Sequence, residues 1–321
     1  PVVQGRYLRY HLRLSFNETL ACGSSFSQDK AFTDGRALAK GSTGEMHPRN
    51  SQGLANVVYN TTLTWANPSL LSLEAQMQVP LFSEAPVELG LNDSNVNEVL
   101  NRVKTDARYA ALFKAAFPGA DQPVTWGNVT RAIATFQRTL ISGNSRYDQF
   151  LQNKAQLTAS EQRGLALFNS EKAECFHCHS GFNFNDQVVH ASTQVTDTPF
   201  HNTGLYNIGG TGNFPAGNQG LFEITERLAD RGKFRAQSLR NVEVTAPYMH
   251  DGRFLTLNKV LQHYTDGIVK SATLSAKLKK PIRLTSAQKV DIIAFLLTLN
   301  DKEFVFDKKH QFKKIAHKAK E

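Results

Sequence analysis

The chain is short of the residues that build small secreted scaffolds or membrane proteins: 3 cysteines, 2 tryptophans and 3 methionines. Three cysteines cannot make a disulfide framework. The longest strongly apolar run, Ile292 to Leu297, is far too short to cross a bilayer, so no membrane span is expected. No apolar secretory segment follows Pro1, which says nothing against export. A broad basic face is missing too. Much of the excess of 37 Lys+Arg over 28 Asp+Glu lies in residues 302–321, where seven lysines stand against Glu303, Asp307 and Glu321. Nucleic-acid readers interleave basic and aromatic side chains across a surface, so no nucleic-acid partner is expected. The lysine-rich end reads first as a solvated tail and second as a docking patch for an acidic partner.

What is present is an ordinary globular mixture, 40% hydrophobic and 10% aromatic over 321 residues. That supports two domains of usual size or one large one, and excludes disordered, collagen-like and coiled-coil chains. Thr158-x-x-Glu161 and Thr285-x-x-Gln288 are capping-box patterns that open helices. Val290, Ile293, Ala294 and Leu297 are spaced for one face of the second of these. The same spacing recurs at Val96, Val99, Leu100 and Val103, and at Val129, Ile133, Phe136 and Leu140. From Gln187 to Asn218, Gly, Asn, Thr and Pro predict a long irregular loop of the kind that lines cofactor pockets. Strand-like alternation is scarce, so an all-α fold with large loops is expected, divided near residues 150–158. Gly209-Gly210-Thr211-Gly212 lacks the strand–helix context of a nucleotide loop.

The informative string is Cys175-Phe176-His177-Cys178-His179, the C-x-x-C-H attachment signal of a c-type haem. Each thiol adds across one haem vinyl group, and the adjoining histidine reaches the iron. A redox C-x-x-C has no need of His179, and a zinc site needs a second ligand pair that the chain does not offer. Covalent haem c at Cys175 and Cys178 with His179 on iron is the reading. Thioether attachment takes place outside the bacterial cytoplasm, which points to the periplasm or cell surface of a Gram-negative bacterium. An incomplete copy of the motif precedes it. Cys22-Gly23-Ser24-Ser25-Phe26 keeps the frame but has Ser25 for the second cysteine and Phe26 for the histidine.

Together with several further strings, these motifs make the chain resemble the bacterial dihaem cytochrome c peroxidase and MauG family over about residues 5–300. The strings are Arg13-Leu14-Ser15, Pro86-Val87-Glu88-Leu89-Gly90, Leu239-Arg240-Asn241-Val242 through Ala246-Pro247-Tyr248-Met249-His250-Asp251-Gly252, and Asp291 to Leu296. Ser42-Thr43-Gly44-Glu45 and Leu63-Thr64-Trp65-Ala66-Asn67-Pro68 look nearest to the MbnH-like branch, whose members modify a copper-binding partner. The resemblance implies two cytochrome-c-like helical haem domains, here 1–155 and 156–300, followed by the basic tail 301–321. It implies hydrogen peroxide as oxidant and a protein substrate or redox partner. Tyr264 matches the far-side ligand of the C-terminal haem in the MauG branch, where the peroxidase branch has methionine. A tyrosinate oxygen favours the higher oxidation states of iron. His263, His250 and Tyr248 stand as rivals. Trp65 matches an electron relay between the haems. Gln76, Pro80 and Glu88 match the distal pocket of the peroxide-binding haem, with Glu84 as a substitute for Glu88. Calcium is implied, held by the Asn50 side chain and the carbonyls of Thr245 and Pro247.

The degenerate first motif leaves three readings open. The N-terminal haem is absent and the protein is a monohaem electron-transfer cytochrome with a vestigial pocket. It is held by one thioether at Cys22 with another axial ligand, His11 and His47 being the nearby histidines. Or the sequence is altered at Ser25 and Phe26.

Overall fold

The computed structural model describes residues 1–24, 26–194 and 196–310. The helices are α1 (Val2–Arg9), α2 (Leu73–Gln76), α3 (Gln78–Phe82), α4 (Val96–Lys104), α5 (Ala107–Ala116) and α6 (Trp126–Gln137) in the first half. The second half follows with α7 (Arg146–Leu151), α8 (Ala159–Phe168), α9 (Phe222–Thr225), α10 (Leu257–Gln262), α11 (Ser286–Leu297) and α12 (Lys302–Phe306). No β-strand occurs among the described residues, only isolated bridges. The fold is all-α with long loops, as the sequence predicts, and 187–218 carries no helix.

Both capping boxes form. Thr158 and Thr285 accept from the backbone of Glu161 and Gln288, whose side chains reach back to the cap. They start the two helices that pack together most extensively, α8 and α11. These cross where a glycine leaves room: a Cβ on Gly164 would lie 1.9 Å from the Asp291 carbonyl oxygen and 2.9 Å from Phe295 Cβ. The first half repeats this crossing with α1 on α6. A Cβ on Gly5 would lie 1.9 Å from the Ala132 carbonyl oxygen and 3.0 Å from Phe136 Cβ. The repeat extends further. Asn56 and Asn241 both adopt left-handed backbone, at φ 58° and 60°. Their amides donate to Leu140 O at 2.8 Å and Leu299 O at 3.1 Å. Ala31 and Phe184 are a second left-handed pair, each five residues after the last position of its Cys motif.

Two expectations are corrected. On α11 the inward face is Ile292, Phe295 and Leu296, whereas Val290 is 62% exposed and Leu297 40%. This helix is apolar nearly all round, so spacing alone does not fix its phase. Burial of Ile292 and Phe295 sets it, and Asp291 on the same turn is held by Ser160 at 2.6 Å and by Arg163 at 2.8 Å through both oxygens. The second correction concerns the tail. Residues 301–310 are packed rather than solvated: Phe304 and Val305 join a cluster with Phe32 and Phe136, and His310 is 1% exposed. Two apolar residues between the lysines suffice to dock the segment. Residues 311–321, with the remaining lysines, lie outside the described residues.

Replacing Gly164 with alanine forces α8 off α11. Overpacking of this kind costs about 1–3 kcal/mol. Gly164→Ala is expected to lower Tm by several degrees, whereas Gly143→Ala, where an added Cβ meets nothing, is not. Equal melting curves would contradict the crossing as drawn.

Candidate functional site

Residues Cys175–His177 form one 3-10 turn, and the amides of Cys178 and His179 both return to the Cys175 carbonyl, at 3.3 and 3.0 Å. The turn delivers Cys175, Cys178 and His179 to the lining of a single large cavity. His179 Nδ1 donates to the Phe184 carbonyl at 3.0 Å, leaving Nε2 as the ring nitrogen for a metal. Burial holds the His179 pKa below its usual value, so the imidazole is neutral, the form that ligates. Burial pushes the Cys175 thiol up to about 12. A thioether sulfur stays neutral, which is the state that burial favours here.

Tyr264 lines the same cavity, and its hydroxyl makes no hydrogen bond among the described residues. Burial raises its pKa, and the Cys178 and Cys175 sulfurs raise it further, which puts the phenol beside the motif. It sits in a π-helical turn, His263–Gly267, directly after α10. Such turns often occur at functional sites. Two of the rivals are hydrogen-bonded elsewhere, and the third, His250, keeps an Nε2 unpartnered among the described residues. Tyr248 donates to Val242 O at 3.0 Å. His263 Nε2 donates to Thr203 O at 2.8 Å, and His263 does not line the cavity. His250 does line it, but its ring stacks on Phe234 at 3.7 Å and faces Trp65 at 6.3 Å.

Whether a haem suits this cavity is tested by its polar wall. Arg235 is 3% exposed and lines the cavity. Its Nε donates to Thr64 O, and its Nη2 to Gln52 and Gln237, yet Nη1 has no partner. No carboxylate pairs with it among the described residues. Gln237 Nε2, on the same wall, is also unpartnered. A buried cation and amide with orphaned donors call for an anion, and a haem presents carboxylates. The residues fit the group: Cys175 and Cys178 would attach it, His179 and Tyr264 would face the iron, and Arg235 with Gln237 would take a propionate. Sequence reading missed Arg235 and Gln237. An isolated arginine in a loop carries no signal until its missing partner is seen.

The cavity extends to Trp65, Asn50, Thr245 and Pro247. Trp65 Nε1 donates to Asn50 O at 2.7 Å, while Asn50 Nδ2 donates to Arg36 O at 2.6 Å. Asn50 Oδ1 accepts nothing among the described residues. Asn50, Thr245 and Pro247 line the same cavity and carry neutral oxygens, the donor type that calcium takes. Another grouping escaped the sequence: Cys178, Asp186 and His201 present donor atoms within 4.8 Å of one another. Burial opposes charge on His201, but Asp186 and Cys178 outweigh it and raise its pKa to about 10.

In the first half, Cys22 packs between two apolar clusters, one around Leu14, Met77 and Phe113, the other around Leu81 and Leu91. Leu89 N bonds to Pro80 O at 2.9 Å, which folds Glu88 back beside α3, and the Glu88 charge is felt at Cys22. Gln76 ends α2, one turn before Pro80. Glu88 is half-buried with Oε1 3.8 Å from His47 Nδ1, while Glu84 is exposed. His11 is apart, against Tyr109 at 4.7 Å. Phe26 has no lone pair for iron. The residues of this half do not fit a haem.

An all-α chain with a C-x-x-C-H turn opening on a cavity, a histidine held through Nδ1 and an orphaned arginine on the wall defines a haem c protein. The family described as di-haem cytochrome c peroxidase matches residues 2–156. The methylamine utilization protein MauG of Methylorubrum extorquens is 34% identical over 302 residues, covering 93% of this chain and 77% of that one. The cytochrome c551 peroxidase of Pseudomonas aeruginosa is 29% identical, covering 93% and 78%. Among solved structures, a MauG-like protein associated with microbial copper homeostasis superposes with TM-score 0.94 and 46% identity, covering 97% and 92%. The dihaem peroxidase BthA of Burkholderia thailandensis shares the fold, with TM-score 0.74 at 21% identity and 95% and 86% coverage. The chain belongs to the dihaem cytochrome c peroxidase and MauG family, whose members are peroxidase-type oxidoreductases that carry haem c.

Burial pushes the Glu88 carboxyl up to about 7 from an ordinary 4.5. The native state therefore holds this proton where the unfolded chain has lost it. Its contribution to stability is full below the unfolded value and is lost as pH rises through 7. Tm of the wild type is expected to fall more between pH 5 and pH 8 than that of Glu88→Gln. Parallel curves would contradict this.

Proposed function

We propose that the protein is a periplasmic, MauG-like oxidoreductase that uses hydrogen peroxide to oxidise a partner protein. The observation that carries the reading is the cavity into which Cys175, Cys178, His179 and Tyr264 converge and which reaches Trp65. Haem, when bound, supplies the one-electron redox chemistry that connects peroxide with the partner, peroxide being reduced to water. The chain's own residues prepare that chemistry. Phe184 O fixes the His179 tautomer and ring plane. Tyr264 must give up its Oη proton to serve as an anionic ligand. Burial resists this, so only a strong local positive charge such as ferric iron favours it.

Trp65 relays electrons from the partner. Its indole N–H is tied to Asn50 O, on the wall where Asn50, Thr245 and Pro247 would hold calcium. Gln76 and Glu88 match a distal pocket by resemblance alone, in a half whose residues do not fit a haem. The likeness to a protein associated with copper homeostasis supports a copper-binding partner, and the MauG-branch resemblance suggests a tryptophan of that partner as the residue oxidised. Haem attachment outside the cytoplasm supports the location.

A narrower reading is an electron-transfer cytochrome that exchanges electrons with its partner without consuming peroxide. The packing of the first half favours it. The two are separated by adding peroxide to the haem-loaded protein with a copper-binding partner and following partner tryptophan by mass spectrometry. Oxidation that requires peroxide supports the enzyme; electron exchange without it supports the carrier. Trp65→Phe is expected to keep the haem and slow partner oxidation by roughly tenfold or more, about 1.4 kcal/mol of barrier. An unchanged rate would remove Trp65 from the route.

A further inference from the structure

The internal repeat gives each position around the cavity a counterpart in the first half. Gly5, Ala132, Phe136 and Leu140 stand to Gly164, Asp291, Phe295 and Leu299 at one constant displacement along the chain. By that register Phe168, Ile292 and Leu296, which line the cavity, correspond to Arg9, Ile133 and Gln137. The motif register pairs Cys175 and His179 with Cys22 and Phe26, and the Asn56–Asn241 register pairs the lining Val242 with Val57.

In the first half these counterparts are packed against protein. Ile133 shares a cluster with Leu8, Leu14, Met77 and Phe113. Val57 packs with Leu63 and Leu73. Gln137 is buried, and its amide donates to Met77 Sδ at 3.5 Å. Where Phe168 offers a flat apolar ring to the cavity, Arg9 brings a guanidinium that is 1% exposed. It lies 4.6 Å from the Phe32 ring centre, 5.3 Å from Phe26 and 5.8 Å from Phe136. Its Nη2 donates to Phe26 O at 3.0 Å. No carboxylate pairs with Arg9 among the described residues; the ring faces, the Tyr10 side chain and the Phe26 carbonyl compensate its burial, while its Nε has no partner there. A porphyrin entering here would have to part the cation from those rings and would meet a phenyl ring at the axial position. From the other side, Phe304 and His310 close on Phe32 at 5.5 and 6.1 Å.

We infer that the first half is a haem-free copy of the second. Met77 and Leu73 fill its interior, the Arg9 cation seals it against Phe26, Phe32 and Phe136, and the protein carries one haem per chain. The first half then serves the single haem as a wall, since Thr33, Asn50, Ala55 and Trp65 all line the second half's cavity. This departs from the two-haem arrangement of the relatives and rests on the reading of Cys175, Cys178 and His179 as a haem site; with Tyr264 also taken as a ligand of that one iron, it favours the electron-carrier reading over peroxide turnover.

The test uses the full chain, produced in a bacterial host that attaches haem c. Denatured intact mass, haem and iron per chain, and thiols alkylated after denaturation are measured together. One haem, one iron and one alkylatable thiol, mapped to the Cys22 peptide, is the expected result. Two haems, or haem mass on the Cys22 peptide, would overturn the inference and leave the C-terminal site intact. A chain with no haem on the Cys175–Cys178 peptide would overturn the site itself. Cys22→Ala provides the second arm. It is expected to keep the wild-type haem content and visible spectrum, and a loss of haem or iron from it would count against the inference.

Discussion

Everything in this molecule hangs on two close helix crossings in which a glycine lets one helix touch the backbone of another. Gly164 on α8 meets the Asp291 carbonyl of α11, and Gly5 on α1 meets the Ala132 carbonyl of α6. With the backbones this near, the residues one turn on, Phe168 and Arg9, are thrust into the interior of their halves. The crossing thereby decides what stands beside each Cys motif. The aromatic ring at 168 borders the cavity, whereas the guanidinium at 9 lies among the Phe26, Phe32 and Phe136 rings. The scaffold is common to both halves, and a handful of side chains decides which of them is hollow.

The electrostatics of the hollow half follow from burial. His179 is kept neutral, the Cys175 thiol is kept from ionising, and Tyr264 is kept protonated until a positive metal charge arrives. The buried positive charge on Arg235 has an Nη1 without a partner among the described residues. A haem brings what each group lacks: vinyl carbons for the thiols, a metal for the imidazole and phenol, and carboxylates for the guanidinium. That mutual fit is why a redox pair or a zinc site is a poor account of the same cysteines.

Much of this was legible in the sequence, for identifiable reasons. Capping boxes at Thr158 and Thr285 work through neighbours three residues apart, so they were read correctly. The order C-x-x-C-H is dictated by covalent chemistry and needs no fold to interpret. What escaped depended on contacts far along the chain. The inward face of α11 is set by burial of Ile292 and Phe295, and the docking of residues 301–310 is set by Phe32. Arg235 is informative only because its Nη1 finds no partner, which no string of letters records. The repeat was written openly in Leu54-Ala55-Asn56-Val57 and Leu239-Arg240-Asn241-Val242, yet four letters are too few to establish a register without the backbone. Tyr264 stood among four candidates, and hydrogen bonds that occupy Tyr248 and His263 separate it from two of them.

The proposal on which the function rests is that His179 and Tyr264, which line one cavity, would both hold the iron of a haem there. Resonance Raman spectroscopy of the ferric protein tests it most directly. The account expects iron–tyrosinate vibrations in the wild type that vanish in Tyr264→Phe while haem stays bound to Cys175 and Cys178. A wild-type spectrum without those vibrations, or one that Tyr264→Phe leaves unchanged, would contradict it.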